Sequence, residues 1–127
     1  MLRKYFVIGA SYVALGIALG AFGAHGLKEI VSEKMLANFE TGVRYQMYCA
    51  LGLMLISLVA GFLKDAAKPL STSALLVFIG SIIFSGSLYV MALTGITKLG
   101  AITPIGGVLM IVGYVYTAIT VWKTTKK

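Results

Sequence analysis

The sequence predicts an all-α integral membrane protein, a four-helix bundle forming a single transmembrane domain over residues 1–127. Of these residues 59% are hydrophobic and only 12% are charged, whereas a soluble domain has about a quarter of its residues charged. The mean hydropathy is +0.95. A helix needs roughly 20 apolar residues to cross the hydrocarbon core of a bilayer, and the chain contains four uncharged runs of about that length. Lipid is therefore the expected solvent.

The spans are predicted at about residues 5–24, 45–63, 72–96 and 104–122. Backbone polar groups in lipid must pair within the chain, which favours helices. Gly23 and Gly26 are expected to end the first helix in a left-handed conformation, Pro69 falls in the second linker, and Gly95 can cap the third helix. Thr103-Pro104 is typical of an N-cap and first helical residue.

A further segment before the second span has helical periodicity. Leu36, Phe39 and Val43 repeat at helical spacing, so residues 32–44 are predicted to form an amphipathic segment that Ser32 can cap. This segment could continue into the second span as one rod of roughly 46 Å. It could instead lie along the membrane surface and bend near Gly42. The sequence does not distinguish these two arrangements.

The distribution of positive charge predicts the orientation. Seven Lys and Arg residues flank the spans on the side of the termini and four lie on the other side. By the positive-inside rule both termini are expected to be cytoplasmic, in a cell membrane of bacterial type. A cleaved signal peptide is the alternative for the first span, but its apolar run exceeds the roughly 7–15 residues of a signal core. We expect the span to be retained.

The composition also excludes several classes of protein. One Cys and one His cannot supply the four ligands of a zinc site or a disulfide framework. The net charge of +7 lies in short clusters between apolar runs, which is typical of membrane topology rather than of nucleic-acid binding. We therefore expect no metal, no cofactor and no nucleic-acid partner.

Small residues are predicted to pack the helices, because close van der Waals approach holds helices together in lipid. The first helix carries small residues at four-residue intervals, and the third and fourth carry Ser and Gly clusters. The residues assigned to helix packing are Gly16, Gly20, Ala24, Ser85, Gly86, Gly106, Gly107 and Gly113. The same pattern also serves dimers, so a homo-oligomer is an alternative.

Polar residues near membrane depth are the candidates for a functional site. The topology brings eight of them to one end of the bundle, where a shared pocket for a ligand or lipid is expected: His25, Glu40, Arg44, Tyr45, Gln46, Tyr89, Thr94 and Thr103. Glu40 and Arg44 are four residues apart and are expected to form an ion pair, although Arg44 could instead bind a lipid phosphate. Gln46 is expected to bond to another helix.

Four sequence blocks carry a resemblance to a known family. They are GAFGAHGL at 20–27, the Phe39 to Tyr48 region, FSGSLY at 84–89 and LGAITPIGG at 99–107. Together they resemble the small bacterial membrane proteins of domain-of-unknown-function family 423, the UPF0382 type, which are similar to eukaryotic transmembrane protein 256. The resemblance implies a multi-pass membrane protein without an established activity. The chain departs from it at Cys49, where His is common, and at Tyr114, where Trp is common.

The leading functional hypothesis is a non-enzymatic membrane component that binds lipid or a partner membrane protein through this polar end. The sequence contains no recognisable catalytic constellation. The first alternative is a small oligomeric transporter or channel for a neutral solute, with a pore lined by hydroxyl groups of Ser11, Ser57, Ser81, Ser85 and Thr94. The second is a lipid-acting enzyme that uses His25.

Overall fold

A computed structural model describes residues 1–125. Four long helices occur in these residues: α1 (Arg3–His25), α2 (Glu33–Phe62), α3 (Ala67–Thr94) and α4 (Thr103–Thr125). Three short 3₁₀ turns join them: η1 (Leu27–Glu29), η2 (Lys64–Ala66) and η3 (Thr97–Ala101). All four helices are long and apolar enough to cross a membrane. The predicted all-α fold with four apolar helices is confirmed.

The second helix is continuous from its N-cap to the end of the span. Its 30 residues extend about 45 Å at 1.5 Å each. The Ser32 hydroxyl accepts a hydrogen bond from the Met35 amide at 3.2 Å, as the sequence predicts. Gly42 is buried against the Tyr89 ring and the Ser85 carbonyl of α3, so it is a contact point rather than a bend. Residues 33–62 therefore form one rod.

Two helix boundaries differ from the sequence prediction. The third helix begins at Ala67 instead of 72, because Pro69 falls in its first turn, where proline removes no helical hydrogen bond. The first helix continues into η1 with Gly26 at φ −79°, so the expected left-handed ending at Gly23 or Gly26 is wrong. Gly95 has φ +75° and ends α3 in the left-handed region as predicted.

The four helices are not arranged as a closed bundle in which every helix packs on two neighbours. The two central helices, α2 and α3, pack on each other, while α1 packs mainly on α2 and α4 mainly on α3. No extended contact joins α1 to α4. Less than a quarter of the apolar window of α1 or α4 is buried, against nearly half for the central pair. The outer helices consequently present most of their surface to the surroundings.

Glycines spaced seven residues apart form the contact face of each outer helix. On α1 the buried glycines are Gly9, Gly16 and Gly23. A Cβ at Gly9 would lie 2.7 Å from the Ala50 carbonyl oxygen of α2. A seven-residue repeat keeps one side of a helix against its neighbour when the two cross at a small left-handed angle. The backbones of α1 and α2 therefore approach closely.

The same spacing recurs on α4. Gly106 and Gly113 both face α3, where a Cβ at Gly106 would lie 2.5 Å from the Gly80 carbonyl oxygen. A Cβ at Gly113 would lie 2.7 Å from the Val77 side chain. Such distances are below ordinary van der Waals contact, so only glycine fits here.

Only some of the eight residues assigned to helix packing lie in tight contacts between helices. Gly16, Gly106, Gly113 and Ser85 lie in tight interhelical contacts. A Cβ at Gly20 would make only ordinary contact with Val43, at 3.5 Å. The remaining three do not bring helices together: Ala24 is exposed, Gly86 has open space where a side chain would lie, and Gly107 borders a groove. The contact face of α1 is rotated from the predicted ladder, because Gly9 and Gly23, rather than Ala24, meet α2.

Candidate functional site

The topology was expected to bring the predicted polar residues to one end of the bundle, which we call the His25 end. Here α1 and α3 end and α2 and α4 begin. The eight residues nevertheless do not share a pocket. His25, Glu40, Arg44 and Thr94 are exposed, and no Glu40–Arg44 salt bridge forms within residues 1–125. The expected ion pair is therefore not found.

Gln46 and Tyr89 lie inside the bundle instead. The Gln46 side chain is 1% exposed, and its amide nitrogen donates to the Tyr12 carbonyl of α1 at 3.0 Å. The Tyr89 hydroxyl of α3 donates to the Gln46 side-chain oxygen at 2.6 Å. Both ends of the amide are paired, which removes the cost of burying it. Gln46 thus links three helices, as expected for an amide in a transmembrane span.

Serine hydroxyls within the spans also bond inside the chain. Ser57 donates to the Leu2 carbonyl at 2.7 Å and Ser85 to the Gly42 carbonyl at 2.7 Å. Ser81 donates to the Phe78 carbonyl at 2.9 Å. These three hydroxyls hold helices or turns together, so they do not line an aqueous path through a single chain.

Thr103 is the first residue of α4 and contacts α3 through its side chain. Its hydroxyl lies 2.5 Å from that of Ser87 on α3. Thr94 is exposed and donates to the carbonyl of Val90 one turn earlier. Of the predicted polar residues at the His25 end, Thr103 therefore joins the α3–α4 contact, while Thr94 remains at the surface of its own helix.

A groove opens between α2 and α4, with α3 as its floor. We call this the α2/α4 groove. Its volume is about 520 Å³. It is lined by Tyr45, Tyr48, Cys49, Phe84, Gly107, Met110, Ile111, Tyr114 and Val115. Of the eight polar residues predicted for the site, Tyr45 alone belongs to this lining.

The groove exists because α4 packs on α3 and reaches α2 through side chains, those of Tyr114 and Met110. The Tyr114 hydroxyl donates to the Tyr48 carbonyl at 3.1 Å and fills the space that a side chain at Gly52 would occupy. This contact lies near the middle of α2 and closes the groove there. Between it and the His25 end, the backbones of α2 and α4 stand apart, and the two helices meet through the Cys49 and Met110 side chains.

Aromatic rings form the rim of the groove at the His25 end. The Tyr45 ring packs against the Phe84 ring with centroids 4.9 Å apart and against the Tyr48 ring at 5.4 Å. Deeper in the groove, the Cys49 thiol donates to the Met110 sulfur at 3.2 Å. The surface inside the groove is therefore almost wholly apolar, and no charged side chain lines it.

Sequence reasoning missed most of this groove, including Phe84, Met110 and Tyr114. One signal was present, because Gly106 and Gly107 are adjacent. Consecutive residues of an α-helix point about 100° apart, so only one of the two can face α3. The other had to face a different surface, and Gly107 lies in the groove. The sequence does not indicate whether a neighbouring helix covers that second surface.

The helices and their buried polar contacts define a multi-pass membrane protein with a four-helix bundle. The model of the family described as "Protein of unknown function (DUF423)" matches residues 19–107. The chain belongs to this family.

Curated relatives agree with this assignment. A UPF0382 membrane protein of Staphylococcus haemolyticus is 41% identical over 122 residues, covering 96% of this chain and 98% of the relative. A Staphylococcus saprophyticus protein of the same name is 42% identical, with 96% and 99% coverage. The UPF0382 membrane protein YwdK of Bacillus subtilis is 40% identical, with 73% and 75% coverage. No solved structure matches the chain.

Proposed function

We propose that this protein is a non-enzymatic membrane component that binds lipid, with one hydrocarbon chain seated in the α2/α4 groove. The observation that carries the proposal is the groove itself, about 520 Å³ in volume and apolar in its lining. This volume falls within the roughly 300–1,000 Å³ range of small-molecule sites. In a bilayer, the neighbours available to such a groove are lipid chains and other helices.

The length of the groove favours a lipid chain over a helix. A transmembrane helix crosses the whole hydrocarbon core and is about 10 Å wide with its side chains. Such a helix would need a furrow along the full length of α2 and α4. The Tyr114 hydroxyl bound to the Tyr48 carbonyl and packed over Gly52 closes the groove before it reaches mid-membrane. A chain that enters from the His25 end and stops there fits this shape.

We infer that the termini face the cytoplasm of a cell membrane, which supports an occupant from the outer leaflet. The excess of Lys and Arg on the side of the termini carries this orientation. The groove lies in the half of the bundle near the His25 end, so in this orientation it opens to outer-leaflet lipid.

The non-enzymatic character is part of the same proposal. Catalysis through His25 would need an acid–base or nucleophilic partner within about 3 Å. His25 is exposed, and its side chain makes no hydrogen bond within residues 1–125. An interfacial role, with no chemistry assigned to the ring, is the simpler proposal.

Filling the groove tests the proposal. In Gly107→Leu the new Cβ would lie 3.7 Å from the Phe84 ring, an ordinary contact, and the rest of the leucine would project into the groove. The purified protein is delipidated, phosphatidylglycerol is added, and the bound lipid is measured by native mass spectrometry. We expect the variant to bind at least fivefold less phosphatidylglycerol than the unmodified protein. Ile111→Trp, at a lining residue that is 64% exposed, fills the same space by a second route.

Gly86→Leu is the matched control, because a Cβ at Gly86 has open space around it and Gly86 does not line the groove. It should bind lipid as the unmodified chain does. Unchanged lipid binding in both folded groove variants would overturn the proposal. The proposal would also be overturned if a groove variant converted a dimeric protein to a monomer and left lipid binding unchanged. The occupant of the groove would then be a second copy of the chain.

A further inference from the structure

Arg44 stands just beyond the aromatic rim of the α2/α4 groove. It precedes Tyr48, a lining residue, by four positions on α2. Residues four apart lie on the same face of a helix, one turn from each other. Arg44 is exposed, and within residues 1–125 it makes neither a salt bridge nor a side-chain hydrogen bond. Its guanidinium is thus free to reach over the mouth of the groove.

The depth of Arg44 matches the position of lipid phosphates. No charged residue occurs between Arg44 and Lys64. At 1.5 Å per residue this stretch of helix extends roughly 30 Å, which is about the thickness of the hydrocarbon core. With Lys64 at one interface, Arg44 lies at the other. An arginine there can extend its side chain to the head-group level.

Arg44 differs in position from the other cations at the His25 end. Lys28 lies on η1, Lys34 in the first turn of α2 and Lys98 on η3. Only Arg44 lies on the part of α2 that is level with the beginning of the groove, where Tyr45 contacts Phe84. A planar guanidinium can also donate two parallel hydrogen bonds to a phosphate, which an ammonium group cannot do.

We propose that the ligand of the groove is a phospholipid whose phosphate diester binds the Arg44 guanidinium while one acyl chain occupies the groove. This inference rests on the proposed lipid-binding function and adds the chemical class of the head group. The apolar lining selects for a hydrocarbon chain, and Arg44 selects for the phosphate attached to it. Neutral diacylglycerol should then bind more weakly than phosphatidylglycerol with the same chains.

Three probes separate the contributions of the chain and the head group. Native mass spectrometry or spin-label competition in detergent compares phosphatidylglycerol, diacylglycerol with identical chains, and glycerophosphate without chains. We expect the unmodified protein to prefer phosphatidylglycerol over diacylglycerol by about tenfold and to bind glycerophosphate at least a hundredfold more weakly. Tight glycerophosphate binding would indicate a free-phosphate site and would overturn the inference.

Variants at Arg44 locate the preference for phosphate. Arg44→Gln should bring phosphatidylglycerol binding down to the level of diacylglycerol and leave diacylglycerol binding unchanged. Arg44→Lys should keep only part of the preference, because it retains the charge without the paired donors. Lys28→Gln is the matched control, since it removes one positive charge from the same end on a turn that packs on α1 and α2. It should keep the full preference.

The possible failures are distinguishable. If Gly107→Leu weakens both lipids while Arg44→Gln changes neither, the groove binds lipid chains and the phosphate assignment is wrong. If Gly107→Leu changes neither lipid, the lipid-binding function itself fails. If Lys28→Gln lowers the preference as much as Arg44→Gln, the effect is that of net charge at the membrane surface, and the assignment to Arg44 is overturned.

Discussion

Gly106 and Gly107 are adjacent in sequence, yet the same substitution should have opposite effects at the two positions. A Cβ at Gly106 would lie 2.5 Å from the Gly80 carbonyl oxygen and 2.9 Å from the Phe84 Cα, both backbone atoms of α3. At Gly107 the nearest atom would be in the Phe84 ring, 3.7 Å away. Gly106→Ala should therefore destabilise the bundle, while Gly107→Ala should be neutral or stabilising.

The size of the effect follows from these distances. To restore ordinary contact at 3.4 Å from 2.5 Å, α3 and α4 must separate by about 0.9 Å at this point. A radial gap of about 0.5–1 Å forfeits a quarter to a half of the dispersion attraction of each affected atom pair. Overpacking of this kind costs about 1–3 kcal/mol, and replacing glycine in a helix returns about 0.5–1 kcal/mol. The net loss for Gly106→Ala is about 1–2 kcal/mol.

Gly107→Ala gains stability from replacing a helical glycine and has no overpacking cost. The two variants should therefore differ by about 2 kcal/mol in unfolding free energy. The buried Cys49 provides the assay, because it is the single cysteine of the chain and is 2% exposed. Its reaction with a thiol-specific fluorophore during unfolding in mixed micelles reports the fraction unfolded. Equal destabilisation by both substitutions, or a larger loss for Gly107→Ala, would refute the packing argument.

Two further predictions concern the buried amide and the cap of α3. Gln46→Leu leaves the Tyr89 hydroxyl without its acceptor and should cost about 1–3 kcal/mol. In a Tyr89→Phe background the same change should cost less, and an equal cost in Cys49 labelling would contradict the coupling. Gly95→Ala should cost about 1–2 kcal/mol, because an L-residue is strained at φ +75°. Gly86→Ala, in open space, should not destabilise, and a similar loss at both glycines would count against the strain.

Local chemistry made part of the fold predictable. The capping of α2 by Ser32 and the left-handed Gly95 depend on a few neighbouring atoms, and both follow from residue type. The start of α3 was misplaced because proline is compatible with a first helical turn as well as with a linker. Gly26 was misread because the 3₁₀ turn that follows keeps its backbone right-handed.

The candidate site was less predictable than the helices. Topology was expected to bring His25, Arg44 and Gln46 to the same end. Gln46 instead lies level with Tyr12, near the middle of α1, and points inward, while His25 and Arg44 are exposed. The contact face of α1 was likewise read as Gly16, Gly20 and Ala24, although the buried glycines repeat every seven residues. These are differences in rotation about a helix axis, which spacing alone does not fix.

The sequence by itself determined that the chain is solvated by lipid, that it forms four apolar helices and that it belongs to its family. It also determined the charge bias from which we infer orientation. Only the tertiary structure decided which glycines meet a neighbouring backbone, where Gln46 finds its partners, and that the backbones of α2 and α4 are separated by a groove. The physical reason is that lipid and protein interior are both apolar, so the spans carry no amphipathic pattern that marks an inward face. The facing sides are selected by the shapes of the neighbouring helices.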